Sequence, residues 1–319
     1  MQTDTPPIRL GISRCLLGEG VRYDGGHKRD TFLVDVLGPH VEWVPVCPEA
    51  EAGLGTPREA MRLEGTSDRC RLITIQTRVD HTERLTNWGH VRLHELAAQD
   101  LSGYVFKKDS PSCGVERVRI FNTHGMPAKK GAGLFARAFQ SRFPMIPVEE
   151  EGRLCDPVLR DNFIERVFAY HRWLTAVQAG LTRTRIVRFH TMHKYLLLAH
   201  SEPHYRTLGR LVAQADRWSP RELGFRYGRL FMDALGKRAT IRKHVNVLQH
   251  LVGHFRAHLS TNQTRELHEV IADYHRGLLP LIVPMTLVRH YVRLFDVPYV
   301  RDQVYLNPHP KELMLRNHV

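Results

Sequence analysis

Ile8-Arg-Leu-Gly-Ile-Ser13, followed at once by Arg14-Cys-Leu-Leu-Gly18, is a short apolar run that stops at a cysteine and a glycine. Runs of this kind, bounded by turn residues, read as buried strands. Four more follow, at residues 41–46, 72–77, 104–107 and 145–148, and helical patterns at residues 31–37, 82–98 and 133–143 separate most of them. Such alternation predicts an α/β domain with a mostly parallel sheet. No clear helix precedes the run at 72–77, so an antiparallel pairing within residues 60–77 is the alternative there. A helix over about residues 157–179, with Asp156 as N-cap and Pro157 at the first helical position, is expected to close this domain.

From Arg185 onward the strand signals disappear. Apolar residues recur at helical spacing over residues 186–199, 205–215, 220–234, 241–257, 264–278 and 284–294. The second domain is therefore expected to be all-α, joined through a linker at residues 180–184. The expected boundaries are 1–180 for the α/β domain and 181–319 for the helical one. The tail after Pro298, with Pro308 and Pro310, reads as extended.

A chain of 319 residues favours two cores over one. No stretch reaches the ~18 apolar residues a membrane span needs, and the opening Met-Gln-Thr-Asp-Thr-Pro-Pro has no secretory pattern, so a cytoplasmic protein is expected. The five cysteines are an odd number and include no CxxC pair, which disfavours a disulfide framework and a zinc ribbon. The charge divides unevenly. Residues 1–180 hold 24 Lys and Arg against 23 Asp and Glu, whereas residues 181–319 hold 22 against 10 and 13 of the 20 histidines. A basic excess confined to one domain points to a polyanion such as nucleic acid.

Cys15 follows a strand run after a single residue, Cys47 follows one directly, and Cys113 follows another within Lys107-Lys-Asp-Ser-Pro-Ser-Cys-Gly114. Ligands of open parallel sheets bind outside the carboxyl ends of the strands, so the three cysteines should meet there. Three thiolates can hold zinc or an iron–sulfur cluster with one open iron, or they can be plain buried cysteines. Cys70, inside a strand run, and Cys155, at a helix entry, fit a structural role better.

Cys15-Leu-Leu-Gly with Arg22-Tyr-Asp-Gly, Val46-Cys-Pro-Glu49 with Pro57-Arg58, and Ser110-Pro-Ser-Cys-Gly114 resemble, in this order, the motifs of the thiouracil desulfidase family. The resemblance spans about residues 8–165. It departs locally at Ala50-Glu-Ala-Gly-Leu-Gly55, which is more acidic and less glycine-rich. Arg188-Phe-His-Thr-Met-His-Lys194, Ala199-His-Ser and His204-Tyr-Arg206 are similar to a YbgA-type helical domain, and chains joining both halves resemble tRNA 4-thiouridine desulfidases. The resemblance implies a Rossmann-like α/β domain carrying a 4Fe-4S cluster on Cys15, Cys47 and Cys113. It further implies Glu49 and Ser110 as acid–base and substrate-contacting residues. The implied reaction removes sulfur from a thiolated uracil, without net redox change, to give uracil and sulfide. A carboxylate two residues from a ligand is suited to taking a proton from the attacking water.

Arg22, Asp24, Arg58 and Lys108 are weaker candidates for nucleotide phosphate or for loop ion pairs. In the second domain Arg183, Arg185, Arg188, Lys194, Arg206, Lys237, Arg238, Arg242 and Lys243 are candidate phosphate contacts for tRNA. Tyr195, Tyr205, Trp218, Phe225 and Tyr227 are candidates for base stacking, against the ordinary reading of helical core aromatics. His190, His193 and His200, and His250, His254 and His258, have spacings that a second metal site or a basic surface could use. Desulfidation of a free thiobase, a cluster-bearing nucleic-acid-binding redox sensor and a zinc hydrolase are the competing readings.

Overall fold

The run that opens at Arg9 becomes an interior strand of a parallel sheet. In the computed structural model, which describes residues 6–67 and 69–318, β1 (Arg9–Ser13) has β2 (Glu42–Val46) on one side. A hairpin of β3 (Met61–Gly65) and β4 (Cys70–Thr74) follows in sequence, and β5 (Gly103–Phe106) then returns to the other side of β1. β6 (Val118–Phe121) and β7 (Pro127–Gly131) form another hairpin, and β8 (Val148–Glu150) pairs in parallel with β5. The first sheet is ordered β2-β1-β5-β8, all parallel. Of the opening Met-Gln-Thr-Asp-Thr-Pro-Pro, from which no secretory pattern is expected, the first five residues lie outside the described residues.

The second sheet, ordered β4-β3-β6-β7, departs from the sequence reading. The run at 72–77 does not join the parallel sheet; its strand pairs antiparallel with β3, the alternative noted above. The β6–β7 hairpin had no counterpart in the reading. Pro127-Ala-Lys-Lys130 is exposed on both faces, so it carries no apolar alternation to mark a strand.

Between the strands lie a π-helical turn (Phe32–Leu37), a short α1 (Pro48–Glu51), α2 (Thr82–Ala97) and α3 (Leu134–Arg142). One apolar cluster joins the parallel sheet to α2 and α3 through Val46, Leu93, Tyr104, Phe106, Phe135 and Phe139. Tyr104 lies flat against Gly11, where an added Cβ would come within 2.1 Å of its ring.

The chain divides into two units, Met1–Cys155 and Asp156–Val319. α4 (Pro157–Gln178), expected to close the first domain, belongs to the second; it is capped by Asp156, whose carboxylate accepts from the Val158 and Leu159 N–H groups. The reason is packing: α4 buries Phe163, Val167, Ala169 and Trp173, an apolar stripe too wide for a peripheral closing helix. The six helical stretches read from the sequence are α5 (Arg183–His200), α6 (Glu202–Ala213), α7 (Pro220–Gly236), α8 (Ile241–Gly253), α9 (Thr261–His275) and α10 (Ile282–Leu294). The tail is not extended. It winds through α11 (Pro298–Arg301) and three 3-10 turns, and the buried Arg316 ion-pairs with Glu165 at 3.2 Å. Among the described residues no helix is long and apolar enough to cross a membrane.

Candidate active site

Each of the three cysteines is delivered by a separate loop. Cys15 sits in a 3-10 turn (Arg14–Leu17) immediately past β1, and Gly18, at a φ of 99°, ends that turn in a conformation that favours glycine. Cys47 follows β2 and serves as N-cap of α1. Cys113 lies in the loop after β5, which is pinned to the start of α3: Gly133 N–H donates to Gly114 O at 2.7 Å and Phe135 N–H to Ser112 O at 3.0 Å. A Cβ on Gly133 would come within 2.4 Å of the Ser112 carbonyl carbon. That approach requires glycine.

The three loops open on one cavity of about 480 Å³, lined by Cys15, Cys47 and Cys113 together with Ser13, Arg22, Glu49, Arg58, Lys107, Lys108 and Ser110. Its size is ordinary for a small-molecule site. All three cysteines are buried and unbridged. Burial, then the neighbouring Cys47, pushes the Cys15 thiol up to about 12. Burial likewise raises Cys47, and it raises Cys113 strongly, with Glu49 adding to the effect and a hydrogen bond from Ser13 opposing it. Cys70 instead belongs to the core of the second sheet, and Cys155 is exposed.

Glu49 is the hub of the cavity wall. One carboxylate oxygen accepts from Ser112 Oγ at 2.8 Å, and the other is paired with the nearly buried Arg58 guanidinium. Arg58 also donates to Val21 O at 3.0 Å and Gly55 O at 2.9 Å. The chain of contacts Val21–Arg58–Glu49–Ser112 therefore ties together the loops that follow Cys15, contain Cys47 and precede Cys113. Ser110, expected to contact substrate, uses its Oγ to accept from the Ser112 and Cys113 N–H groups at 3.2 and 3.1 Å, and its own proton remains available to the cavity. Ser112 was missed by the sequence reading. A serine between a proline and a cysteine looks like turn filler until the fold brings Glu49 to it.

Of the weaker candidates, Arg22 pairs with Asp24 at 3.2 Å and faces the cavity, and Lys108 lies on the exposed rim. Lys107 is matched by Glu151.

In the helical unit, Lys194, Arg206, Lys237, Arg242 and Lys243 line one groove of about 980 Å³ with Tyr205, Asn246 and His250, and Glu202 is the one acidic residue among the lining side chains described. The other basic candidates fall elsewhere. Arg183 and Arg185 are engaged with main-chain carbonyls at Ala215, Trp218, Ala179 and Gly180, whereas Arg188 and Arg238 are exposed. Tyr195 and Tyr227 are core residues, Trp218 stacks under Arg226, and Phe225 is exposed. His190, His193 and His200 bond within the unit, to Tyr227, Phe189 O, and Lys237 O with Glu165. His254 bonds to Tyr195, His258 stacks on Phe295, and His250 faces the groove. Among the described residues no three His, Cys, Asp or Glu side chains are grouped to hold a single metal ion.

Comparisons with known proteins divide at the same place as the fold. Residues 10–151 match the family described as 2-thiouracil desulfurase, and residues 194–310 match a family described as a protein of unknown function, DUF1722. The uncharacterized protein YbgA of Escherichia coli (strain K12) is 33% identical over 158 residues, which is 49% of this chain and 94% of YbgA. A solved structure of a [4Fe-4S]-dependent thiouracil desulfidase, TudS, is 31% identical, covering 46% of this chain and 93% of its own, with a TM-score of 0.38. The chain thus joins a thiouracil desulfidase part to a YbgA-type helical domain, and it belongs to the family of YbgA.

Proposed function

We propose that this protein is an iron–sulfur-dependent desulfidase that removes sulfur from 4-thiouridine in tRNA, releasing sulfide and leaving uridine. The observation that carries the reading is the convergence of Cys15, Cys47 and Cys113 on one cavity whose wall also holds Glu49. The donor set fits a 4Fe-4S cluster. Soft thiolates select such clusters, and each ligates a separate iron, so they need not crowd within ~2.3 Å of one centre as zinc ligands do. Burial and the negative groups nearby raise all three thiols, and a cationic cluster core among them would favour their thiolate forms. Cys15, Cys47 and Cys113 would hold the cluster. When bound it supplies a soft Lewis-acidic iron for a thiocarbonyl sulfur.

The chain's own residues supply the rest. Ser112 and Arg58 fix the Glu49 carboxylate, and its remaining lone pairs can accept a proton from a water aimed at the ring carbon. The Ser110 hydroxyl, held through its oxygen by two N–H groups, is left to donate its proton to a ring nitrogen, a carbonyl or the departing sulfur. Arg22 and Lys108 offer positive charge at the rim for a nucleotide phosphate. The basic groove of the helical unit gives a polyanionic substrate a second place to bind.

Desulfidation of a free thiobase is the second reading. A cavity of about 480 Å³ favours it, being large enough for a single base without help from the helical unit. Protein reconstituted anaerobically and given tRNA bearing 4-thiouridine, or free thiouracil, tests both. We expect loss of the thiocarbonyl absorbance of the tRNA with stoichiometric sulfide. An intact thionucleoside beside a loaded cluster rules out the tRNA reading, and turnover of thiouracil alone favours the second.

A further inference from the structure

The β6–β7 hairpin presents cations that have no partner among the described residues. Val118 and Ile120 of β6 are buried, so Arg119 and Phe121 occupy the opposite, outer face. The register sets Arg119 directly across from Lys129, and Phe121 across from Pro127. Like charges facing each other across a ladder destabilise it. Neither the Arg119 nor the Lys129 side chain has an ion pair or hydrogen bond among the described residues. Of the nearby cations, Arg62 and Arg78 are matched by Glu64 and Arg71 by Asp80 at 3.6 Å, whereas the exposed Arg117 and Lys130 have no ion pair among the described residues. The Arg62 guanidinium lies 4.5 Å over the Phe121 ring, so the aromatic group is already set in a cationic frame. A groove of about 340 Å³ lined by Arg62, Ile75, Arg119 and Phe121 covers this face, and it shares Met61, Asp109 and Pro111 with the three-cysteine cavity. The two spaces share a rim.

We infer that the outer face of the second sheet binds the RNA strand flanking the thiolated base, with phosphates on Arg119 and Lys129 and a neighbouring base against Phe121. Unmatched cations beside an aromatic ring, adjoining a cavity of base size, form the pattern by which proteins track a polynucleotide. The inference rests on the desulfidase reading for what enters the cavity, and it adds a contact surface on the first unit that is separate from the basic groove of the second.

The full chain, reconstituted anaerobically, tests it with the pairs Arg119→Ala/Lys129→Ala and Arg119→Glu/Lys129→Glu. Turnover of free thiouracil monitors the cavity. Binding of fluorescently labelled tRNA across a salt series monitors the face. Both pairs are expected to keep free-base turnover. The alanine pair should make the slope of log affinity against log salt shallower by about 1.4–1.8, the loss of two phosphate contacts. The glutamate pair should weaken tRNA binding at least about tenfold, a loss of ~1.4 kcal/mol. Unchanged affinity and slope in the alanine pair, with free-base turnover intact, overturns the inference; should charge reversal unfold the protein, the alanine pair decides. A wild-type protein that binds tRNA but turns over no thiobase overturns the desulfidase reading instead, and the salt slopes still decide the face.

Discussion

Ser112 shows how one hydroxyl can organise a site. It is fully buried, and its Oγ donates to Glu49 while its main-chain carbonyl holds the start of α3. Ser112→Ala preserves volume but leaves a largely buried carboxylate oxygen without its donor, at a cost of about 1–3 kcal/mol. Turnover of the thiolated substrate should fall about 10- to 100-fold, with iron content retained and with recovery in Ser112→Thr; equal rates in wild type and the alanine variant would show that Glu49 needs no such support. Glu49→Gln keeps the shape and removes the proposed base. Its turnover should drop at least about 100-fold while the cluster absorbance stays unchanged, and a cluster lost with the activity would assign Glu49 a structural role instead. At this scale the cysteine loops were legible because Cys-Pro-Glu and Ser-Pro-Ser-Cys-Gly are local patterns. The Arg58 and Ser112 contacts to Glu49 were not, since they join residues 9 and 63 positions apart.

Elements decide how accurately those loops are held. Gly133 lets α3 start against the Cys113 loop, and Gly133→Ala forces a Cβ into the Ser112 carbonyl. Overpacking of this kind costs about 1–3 kcal/mol, so iron loading after reconstitution should fall and the melting temperature drop; wild-type values for both would show that the loop relaxes freely. The helices of the second unit carry a different constraint. Burial, helped by nearby cations, lowers the pKa of His190 to about 4 and of His193 and His244 to about 3. A base whose folded pKa lies below its unfolded ~6.5 stabilises the fold fully above that value and loses the contribution as pH falls toward 3–4. Each histidine contributes up to about 1.4 kcal/mol per pH unit in that window. Urea midpoints of the helical unit should therefore fall between pH 7.5 and 5, and a flat profile would contradict the buried neutral state. The helices themselves were legible from apolar periodicity, which the bundle uses directly. The β6–β7 hairpin was not, because an edge strand exposed on both faces has no side to bury.

For the whole molecule, the sequence places the domain boundary near residue 180, whereas the fold places it at 155 and 156. The proline and aspartate that start α4 signal a helix but not its partner, and its partners lie far along the chain. A fragment ending at residue 155 should accordingly stay folded and soluble, whereas one ending at 180 exposes the apolar stripe of α4 and should aggregate; light scattering on the two fragments separates them. The concentration of positive charge toward the C-terminal part was legible from counting alone, yet only folding shows that five of its cations share one groove and that Lys243, like Arg183 and Arg185, holds main-chain carbonyls. The centre proposed for the first unit rests on three cysteines. The most direct measurement is iron and acid-labile sulfide per chain after anaerobic reconstitution, for wild type and for each cysteine changed to serine. About four irons and four sulfides are expected in wild type, Cys70→Ser and Cys155→Ser, with the cluster lost or severely depleted in Cys15→Ser, Cys47→Ser and Cys113→Ser. Full loading in any of the last three, or loss in Cys70→Ser, would contradict the account.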